Sequence, residues 1–265
     1  AGTRPLITED TTIPSGFNIN VNTNAFDKNL IVSSPLILTT NNLNFRGSLN
    51  LNAPVTLNAD NVNLKGENAA ILNGNAINYL TTNGAGTVNV ENLNPTRGQV
   101  NLPIGTATNF NPITIENTGT SDTFSVNVQD GISNTTGGAV NATWNISEAI
   151  AGDSNVNVSF TWNQTQENGL FNRNTATVGH YYSSTWNSES SSIVTGTNPY
   201  TISATNISSF SPFGVLNQSA LGNTSFTTVE ISIYPNPSNG NFTIQVPDSF
   251  IGSKAVIYNL LGQSI

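Results

Sequence analysis

Apolar residues between positions 17 and 96 fall in short alternating pairs separated by polar corners. Three successive pairs are Leu49/Leu51, Val55/Leu57 and Val62/Leu64. Alternation places both members of a pair on the same face of an extended strand. The pattern therefore predicts three short strands in each repeat, with the aliphatic side chains turned towards a common interior.

The same stretch repeats itself at an offset of 19 residues, because residues 35–47 line up with residues 54–66 at Pro, Gly and Asn as well as at aliphatic positions. A fixed period near twenty residues is typical of stacked coils, so we predict a parallel β-solenoid over residues 17–96, with about 19 residues per coil. Asn42/Asn61 and Asn44/Asn63 would stack roughly 4.8 Å apart in amide ladders, and Arg46/Lys65 at an outer corner. The alternative is an antiparallel meander with coincidental similarity.

The ends of this stretch are less regular. The period loosens after Glu67, and residues 87–91 form either a last coil or a strand that leads onward. Residues 1–16 read as a polar lead-in, in which Asp10-Thr-Thr resembles a short O-glycosylation acceptor of Bacteroidetes envelope proteins; we interpret it as an ordinary turn. In period and Asn content the whole stretch resembles the repeats of filamentous haemagglutinin-like adhesins, a resemblance of architecture.

Residues 97–222 carry longer alternating runs without a fixed period. Shared faces are Val140, Ala142, Trp144 and Ile146, and then Val156, Val158, Phe160 and Trp162. Roughly seven or more such strands with frequent turns predict an antiparallel β-sandwich, with Trp144 and Trp162 in its core. Residues 141–148 and 208–215 resemble modules that precede sorting domains in Bacteroidetes surface proteins.

After a polar linker at 223–230, the end of the chain reads as strand, tight turn, strand, loop and strand. Ile231 and Ile233 alternate with polar residues, residues 235–240 form the turn, and residues 242–246 and 255–258 are extended again. The last predicted unit is therefore a small β segment at 231–265.

Two motifs in this segment resemble the C-terminal sorting domain of Bacteroidetes type IX secretion cargo. The first is Tyr234-Pro-Asn-Pro-Ser-Asn-Gly240 followed by Phe-Thr-Ile, and the second is Tyr258-Asn-Leu-Leu-Gly-Gln263. The resemblance implies that the sorting residues are Tyr234, Pro235, Asn236, Pro237, Gly240, Tyr258, Asn259, Leu260 and Gly262. It also implies recognition by the outer-membrane translocon and shuttle protein of the type IX machinery, with release or surface attachment outside the cell. Family members continue for several more strands, so the segment corresponds to an incomplete domain.

Composition narrows the expected partners. Charged residues are 8% of the chain, the formal net charge is −8, and the seven Lys and Arg are spread singly along the sequence. We therefore expect no nucleic-acid partner. The chain has no Cys, hence neither disulfides nor thiolate metal ligands, and we expect no span across a bilayer because no apolar run is long enough.

Candidate chemistry is sparse. The single histidine, His180, removes His-based zinc sites and the usual Ser-His-Asp arrangements, and we expect no catalytic residue, metal or cofactor. Tyr181, Tyr182 and Trp186 could form an aromatic platform for a sugar ring. The interpretation we favour is a strand whose alternate aromatic side chains fill the sandwich core and cap its rim.

We therefore predict an all-β chain that is the C-terminal part of a non-enzymatic secreted or cell-surface protein, adhesin-like or structural. The alternative is a non-catalytic carbohydrate-binding or spacer region of a larger secreted polysaccharide-degrading enzyme. A filament or surface-layer subunit is a third hypothesis, suggested by low charge and by solenoid ends that need capping.

Overall fold

The structure is a computed structural model that describes residues 10–16, 19–21, 25–220, 232–235, 237–241, 243–245, 256 and 262–263. These residues belong to two compact units, 1–223 and 224–265. Strands dominate both units, and the described helices are single 3-10 turns at Gln164–Gln166, Arg173–Thr175 and Gln218–Ala220. None of the helices in the described part of the chain has the length or apolar character needed to cross a membrane.

The described part of the chain is rich in short strands, which are numbered in chain order. The first fourteen are β1 (Asp10–Ile13), β2 (Ile19–Val21), β3 (Ala25–Asp27), β4 (Asn29–Val32), β5 (Leu36–Leu38), β6 (Leu43–Phe45), β7 (Ser48–Leu51), β8 (Val55–Thr56), β9 (Val62–Leu64), β10 (Ala70–Leu72), β11 (Leu80–Thr81), β12 (Val88–Leu93), β13 (Val100–Leu102) and β14 (Ile104–Gly105). The others are β15 (Ile113–Asn117), β16 (Asp122–Asp130), β17 (Ala142–Glu148), β18 (Val156–Trp162), β19 (Ala176–Tyr182), β20 (Thr185–Ser188), β21 (Thr195–Gly196), β22 (Tyr200–Ile207), β23 (Pro212–Asn217), β24 (Ser232–Tyr234) and β25 (Thr243–Gln245).

Strands β1 to β12 and β14 pair in parallel with one another, and we call them the parallel region. β1, β4, β7 and β10 form sheet A; β2, β5, β8, β11 and β14 form sheet B; and β3, β6, β9 and β12 begin sheet C. The chain therefore visits sheets A, B and C in turn and then returns to sheet A one rung further along. Each strand is stacked on the corresponding strand of the previous pass.

The register between passes carries the sequence repeat. Leu30 pairs with Leu49 in sheet A, and Leu43 pairs with Val62 in sheet C. Inward-facing aliphatic side chains such as Leu49, Leu51 and Val62 are fully buried. Apolar residues that are one repeat apart in the sequence are thus neighbours on stacked strands in the structure.

The predicted amide ladder is confirmed. The Asn61 main-chain N–H donates to Asn42 Oδ1 at 2.8 Å, and Asn63 Nδ2 donates to Asn44 Oδ1 at 2.8 Å, each across 19 residues. Asn89 Nδ2 extends the ladder by donating to Asn63 Oδ1 at 2.7 Å, across 26 residues. The larger offset shows that the pass after Glu67 has longer corners, while its strands remain stacked.

Strand β12 joins two kinds of sheet. Val88 pairs in parallel with Val62 and in antiparallel fashion with Val126 of β16. Residues 87–91 are therefore both the last stacked pass in sheet C and the strand that leads onward. Beyond β12 the nine-stranded sheet C continues through antiparallel β16, β17, β23, β19 and β20.

The antiparallel part of the chain places two sheets against each other. Sheet D contains β13, β15, β18, β22 and β21. Phe160 of sheet D lies 5.2 Å from Trp144 and 5.9 Å from Phe213 of sheet C, measured between ring centroids. Trp144 and Trp162 are fully buried, as predicted. Their cluster is continuous with the aliphatic core of the parallel region.

The turn expected at Asp10-Thr-Thr is wrong, because Asp10–Ile13 is a strand. It pairs with Asn29–Val32, so the parallel region begins before residue 17. Thr11 lies in register with the core residue Leu30, and its side chain hydrogen-bonds Asp27. Main-chain pairing with the next pass satisfies backbone groups that a turn would leave to solvent.

Candidate functional site

The C-terminal hairpin contains the first sorting motif. Strands β24 and β25 are antiparallel, with Ile233 opposite Ile244 and Tyr234 opposite Thr243. Gly240 has φ of +102°, a left-handed conformation that favours glycine. The side chains of Ile233 and Tyr234 are about half exposed, at 52% and 50%. Exposed apolar groups of this kind are suited to contact with a partner.

The structure describes part of the predicted set of sorting residues. Tyr234 ends β24, Pro235, Pro237 and Gly240 lie in the connection to β25, and Gly262 has φ of +77°. Asn236, Tyr258, Asn259 and Leu260 lie outside the described residues. The first motif is thus the turn of a hairpin, which agrees with the strand–turn–strand pattern of the sequence.

A second candidate site lies on sheet C, where a small cluster surrounds Trp186. Gly179 and Gly214 are cross-strand partners. A Cβ added to Gly179 would lie 3.1 Å from Trp186 Cε3, and one added to Gly214 would lie 3.2 Å from Trp186 Cη2. The indole Nε1 donates to the Ser133 carbonyl at 2.8 Å, and the residue is 4% exposed. Trp186 is thus seated over a paired-glycine recess and offers little free surface.

Tyr181 is the half-buried neighbour of Trp186. Their ring centroids are 5.1 Å apart, and the Tyr181 hydroxyl accepts a hydrogen bond from Asn134 Nδ2 at 2.9 Å. These two rings and Pro212 line a groove of about 440 Å³, together with the polar residues Gln129, Asp130, Ser133, Thr143 and Asn145. We call it the Tyr181 groove. Apolar rings beside amide, hydroxyl and carboxylate groups can contact both the C–H face and the hydroxyls of a sugar.

Tyr182 lies apart from this groove. Successive side chains of a strand point to opposite faces of the sheet, and the Tyr182 ring contacts His180, with centroids 5.0 Å apart. Tyr182 is 48% exposed. Of the three candidate aromatic residues, the structure brings Tyr181 and Trp186 together and places Tyr182 on the other face.

His180 belongs to the interior of the sandwich. Its ring stacks on Phe213, with centroids 4.4 Å apart and planes inclined by 13°. Nδ1 lies 2.9 Å from Glu189 Oε1, and Nε2 is buried without a hydrogen-bond partner among the described residues. The side chain therefore packs as a core aromatic group that also holds Glu189 in place.

Two acidic residues, Glu167 in a loop and Asp122 at the start of β16, have structural partners. Glu167 accepts hydrogen bonds from Trp162 Nε1 at 2.9 Å and from Arg173 Nε and Nη2 at 2.8 and 2.6 Å. Asp122 accepts from the main-chain N–H groups of Thr123 and Ile150. Within the described ranges, no three His, Asp or Glu side chains gather into a group that could hold a metal ion.

Sequence reasoning missed the residues that shape the Tyr181 groove. A glycine inside a strand pattern signals a close approach by another group, so Gly179 and Gly214 could have been marked separately. That they pair with each other beneath Trp186 depends on the register of β19 and β23. The contact between Asn134 and Tyr181 likewise joins residues that are 47 apart.

The described part of the chain is dominated by β-strands and includes a hairpin, β24 and β25, with partly exposed apolar side chains. Residues 232–265 match a protein family described as a secretion system C-terminal sorting domain. This range includes both motifs of the sequence, and it marks the chain as a protein secreted by the type IX system. Among curated proteins and among solved structures, nothing matches the chain significantly.

Proposed function

We propose that the chain is the C-terminal part of a non-enzymatic, adhesin-like or structural protein, which the type IX system of a Bacteroidetes cell exports across the outer membrane. The observation that carries the proposal is the sorting-domain match at residues 232–265. That match supports export. The role of the cargo is argued from the first unit.

In this proposal the parallel region is a β-solenoid that serves as a rigid spacer. The solenoid assignment is supported by the order in which the chain passes through sheets A, B and C and by the register between passes. It is also supported by the stacked amides of Asn44, Asn63 and Asn89. Each pass contacts mainly its neighbours, which is the organisation of solenoid proteins. Main-chain hydrogen bonds between passes make such a stack stiff along its axis, as a stalk on a cell surface must be.

The ion pairs formed by Glu91 and Glu167 support a non-enzymatic role. Glu91 is paired with Lys65 at 2.6 Å, and Glu167 is held by Arg173 at 2.6 Å. A carboxylate with fixed partners of this kind stabilises the fold and is poorly available as a general acid or base. We therefore assign these two residues to structure.

Export is tested with a reporter fused to the chain from residue 223 to the end of the natural gene and expressed in a type IX host. We expect reporter activity outside the cell. Gly240→Val should reduce export because the φ of +102° at this turn disfavours a β-branched residue, while Ser238→Ala should leave it unchanged. A wild-type fusion that stays in the periplasm would refute the export proposal.

The second candidate function is carbohydrate binding within a larger secreted polysaccharide-degrading enzyme. The Tyr181 groove favours it, since it combines the Tyr181 ring with several hydrogen-bonding side chains in one open cleft. The groove is open to solvent, and we therefore expect a dissociation constant no lower than the sub-millimolar range for an oligosaccharide.

A glycan array followed by titration calorimetry separates the two hypotheses. If the groove binds sugar, Tyr181→Ala should weaken binding about tenfold or more, because stacked rings supply much of such affinity. Tyr182→Ala is the matched control, since that ring lies on the opposite face. Trp186→Ala is less informative because it would also empty the paired-glycine recess. Equal affinities of the Tyr181 and Tyr182 variants would exclude the groove.

A further inference from the structure

Three basic residues that are distant in sequence form one column on the parallel region. Asp27 pairs with Phe45, and Phe45 pairs with Leu64, at the ends of β3, β6 and β9. The residues that follow these partners are Lys28, Arg46 and Lys65. Neighbouring strands are about 4.8 Å apart, so the three positions succeed one another at that spacing. We call them the corner column.

Main-chain contacts fix the rungs of this column. The Gly47 N–H donates to the Lys28 carbonyl at 2.7 Å, the Arg46 N–H donates to the Asp27 carbonyl at 3.2 Å, and the Lys65 N–H donates to the Phe45 carbonyl at 2.9 Å. A Cβ on Gly66 would come within 2.1 Å of the Arg46 carbonyl oxygen. Glycine after Arg46 and Lys65 therefore lets successive corners approach closely, and the main chain at the three basic residues is stacked.

The charges of the column are unequally compensated. Lys65 forms an ion pair with Glu91 at 2.6 Å. Glu91 follows Val90, the partner of Leu64, so it occupies the next rung of the same column. Lys28 and Arg46 are exposed and form no ion pair with another described residue. The column is thus a short cationic ridge that ends in one neutralised rung.

Packing does not require these charges. Like charges on adjacent rungs repel each other, and the neighbouring residues Asn44 and Asn63 are buried and uncharged. In a chain with 8% charged residues and a net charge of −8, two cations on adjacent rungs, Lys28 and Arg46, which form no ion pair with a described residue, are therefore an unfavourable arrangement for the free protein. A linear ligand with repeated negative charges would remove the repulsion.

We propose that the corner column binds an acidic polysaccharide, one that carries carboxylate or sulfate groups along its chain. The linear, exposed arrangement suits a polymer that lies across the rungs. Duplex nucleic acid is disfavoured, because three cations give few phosphate contacts and the rest of the protein is strongly acidic. The inference goes beyond the proposed function and rests on it in one respect: an exported protein encounters such polymers.

The test measures binding of the purified full chain to polygalacturonate and to dextran sulfate by biolayer interferometry at low and high salt, with uncharged dextran as control. We expect binding to both acidic polymers that weakens as salt rises, and none to dextran. Lys28→Gln and Arg46→Gln should each weaken binding about fivefold, a typical effect of one cation near an anionic surface. Lys65→Gln should have a smaller effect, because its charge is already paired.

Glu91→Gln is the most discriminating variant. Removing this carboxylate frees Lys65 to contact the polymer, so affinity should rise about fivefold. A loss of affinity on Glu91→Gln, or equal affinity of the wild type and the Lys28→Gln/Arg46→Gln double variant, would overturn the proposal. Far-UV circular dichroism and melting temperature confirm that each variant is folded.

Two further outcomes count against the proposal. If the wild type binds neither acidic polymer, the column is no docking site. If it binds duplex DNA as tightly as dextran sulfate, the assignment to polysaccharide is wrong. Export of the reporter fusion is measured separately, so failure of polymer binding leaves the proposed secretion route unaffected and is distinguishable from it.

Discussion

The parallel region and the sandwich differ in how contacts in space relate to distance along the chain. In the parallel region side-chain hydrogen bonds join residues one repeat apart, as between Asn44 and Asn63. In the sandwich the buried side-chain amides of Asn111 and Gln166 form a hydrogen bond across 55 residues, and no sequence period relates the two positions. A sequence repeat therefore allows long-range contacts to be predicted from the sequence. The sandwich has no such repeat, so its long-range contacts cannot be predicted in this way.

The strongest test of this comparison asks whether the two regions unfold separately. Phe45 and Trp144 are both fully buried in one continuous core. We expect Phe45→Ala and Trp144→Ala each to lower the free energy of unfolding by about 3–5 kcal/mol. Guanidinium denaturation followed by circular dichroism should show one shared transition in both variants. Two transitions, with each substitution moving only one of them, would show that the regions are independent.

The amide groups allow a direct comparison of the two regions. Asn63 donates to Asn44 and accepts from Asn89, so Asn63→Ala removes one hydrogen bond from each of two polar partners. Gln166→Ala likewise removes side-chain hydrogen bonding in the sandwich. Each substitution should cost about 1–3 kcal/mol of unfolding free energy, while the exposed Asn52→Ala in the parallel region should be nearly neutral. A neutral Asn63→Ala would mean that the ladder contributes nothing to stability.

Asp27 gives the parallel region a pH dependence. Burial raises the pKa of this carboxyl above 3.8, although a hydrogen bond from Thr11 lowers it in part. The folded state therefore binds the proton more tightly than the unfolded state. The stabilising contribution is fully present below pH 3.8 and is lost as pH rises through the folded pKa.

It follows that Asp27→Asn should raise the melting temperature at pH 7, because the neutral amide avoids the cost that burial imposes on the charged form of the carboxyl. The difference between variant and wild type should shrink as pH falls towards 3.8. Melting curves recorded from pH 3.5 to pH 7 check this, and Asp153→Asn, at an exposed loop position, is a suitable control. A constant difference across the range would contradict the assignment.

The smallest effect on stability is expected for the ion pair of Lys65 and Glu91 at the surface. Lys65 and Glu91 have side chains that are 28% and 29% exposed, and solvent-exposed pairs are worth about 0.2–1 kcal/mol. Glu91→Gln should therefore change the free energy of unfolding by less than about 1 kcal/mol, while it raises the affinity for an acidic polymer. Urea denaturation measures the first quantity. A loss of several kcal/mol would mean that Glu91 has a structural role beyond this pair.

The parallel region and the sandwich also differ in how much of their structure could be predicted from the sequence. Strands, inward faces and the Asn ladder of the parallel region could be predicted because the repeat aligns them. The strand at Asp10–Ile13 was missed, since its polar residues suggest a turn and its pairing with Asn29–Val32 is visible only in space. The stacking of Arg46 and Lys65 could be predicted from the 19-residue repeat, whereas Lys28 joins them through the pairing of Asp27 with Phe45, which the repeat does not show.

In the sandwich the strands could be predicted, but their partners could not. Alternation shows which face of a strand is buried and gives no information on which strand lies beside it. The packing position of Trp186 depends on the pairing of Gly179 with Gly214 across two strands. Tyr181 and Tyr182 are separated because they lie on opposite faces of sheet C. Candidate aromatic residues could therefore be named, while the groove they form could not.

Strand β12 also has a mechanical consequence. Its residues Val88 and Val90 are bonded on one edge to the stacked passes and on the other edge to β16. Tension between the first strands and the sandwich is thus transmitted through rows of main-chain bonds in a single sheet, with no hinge at that point. Under a pulling force these rows would have to shear together, so the first unit should resist extension as one body.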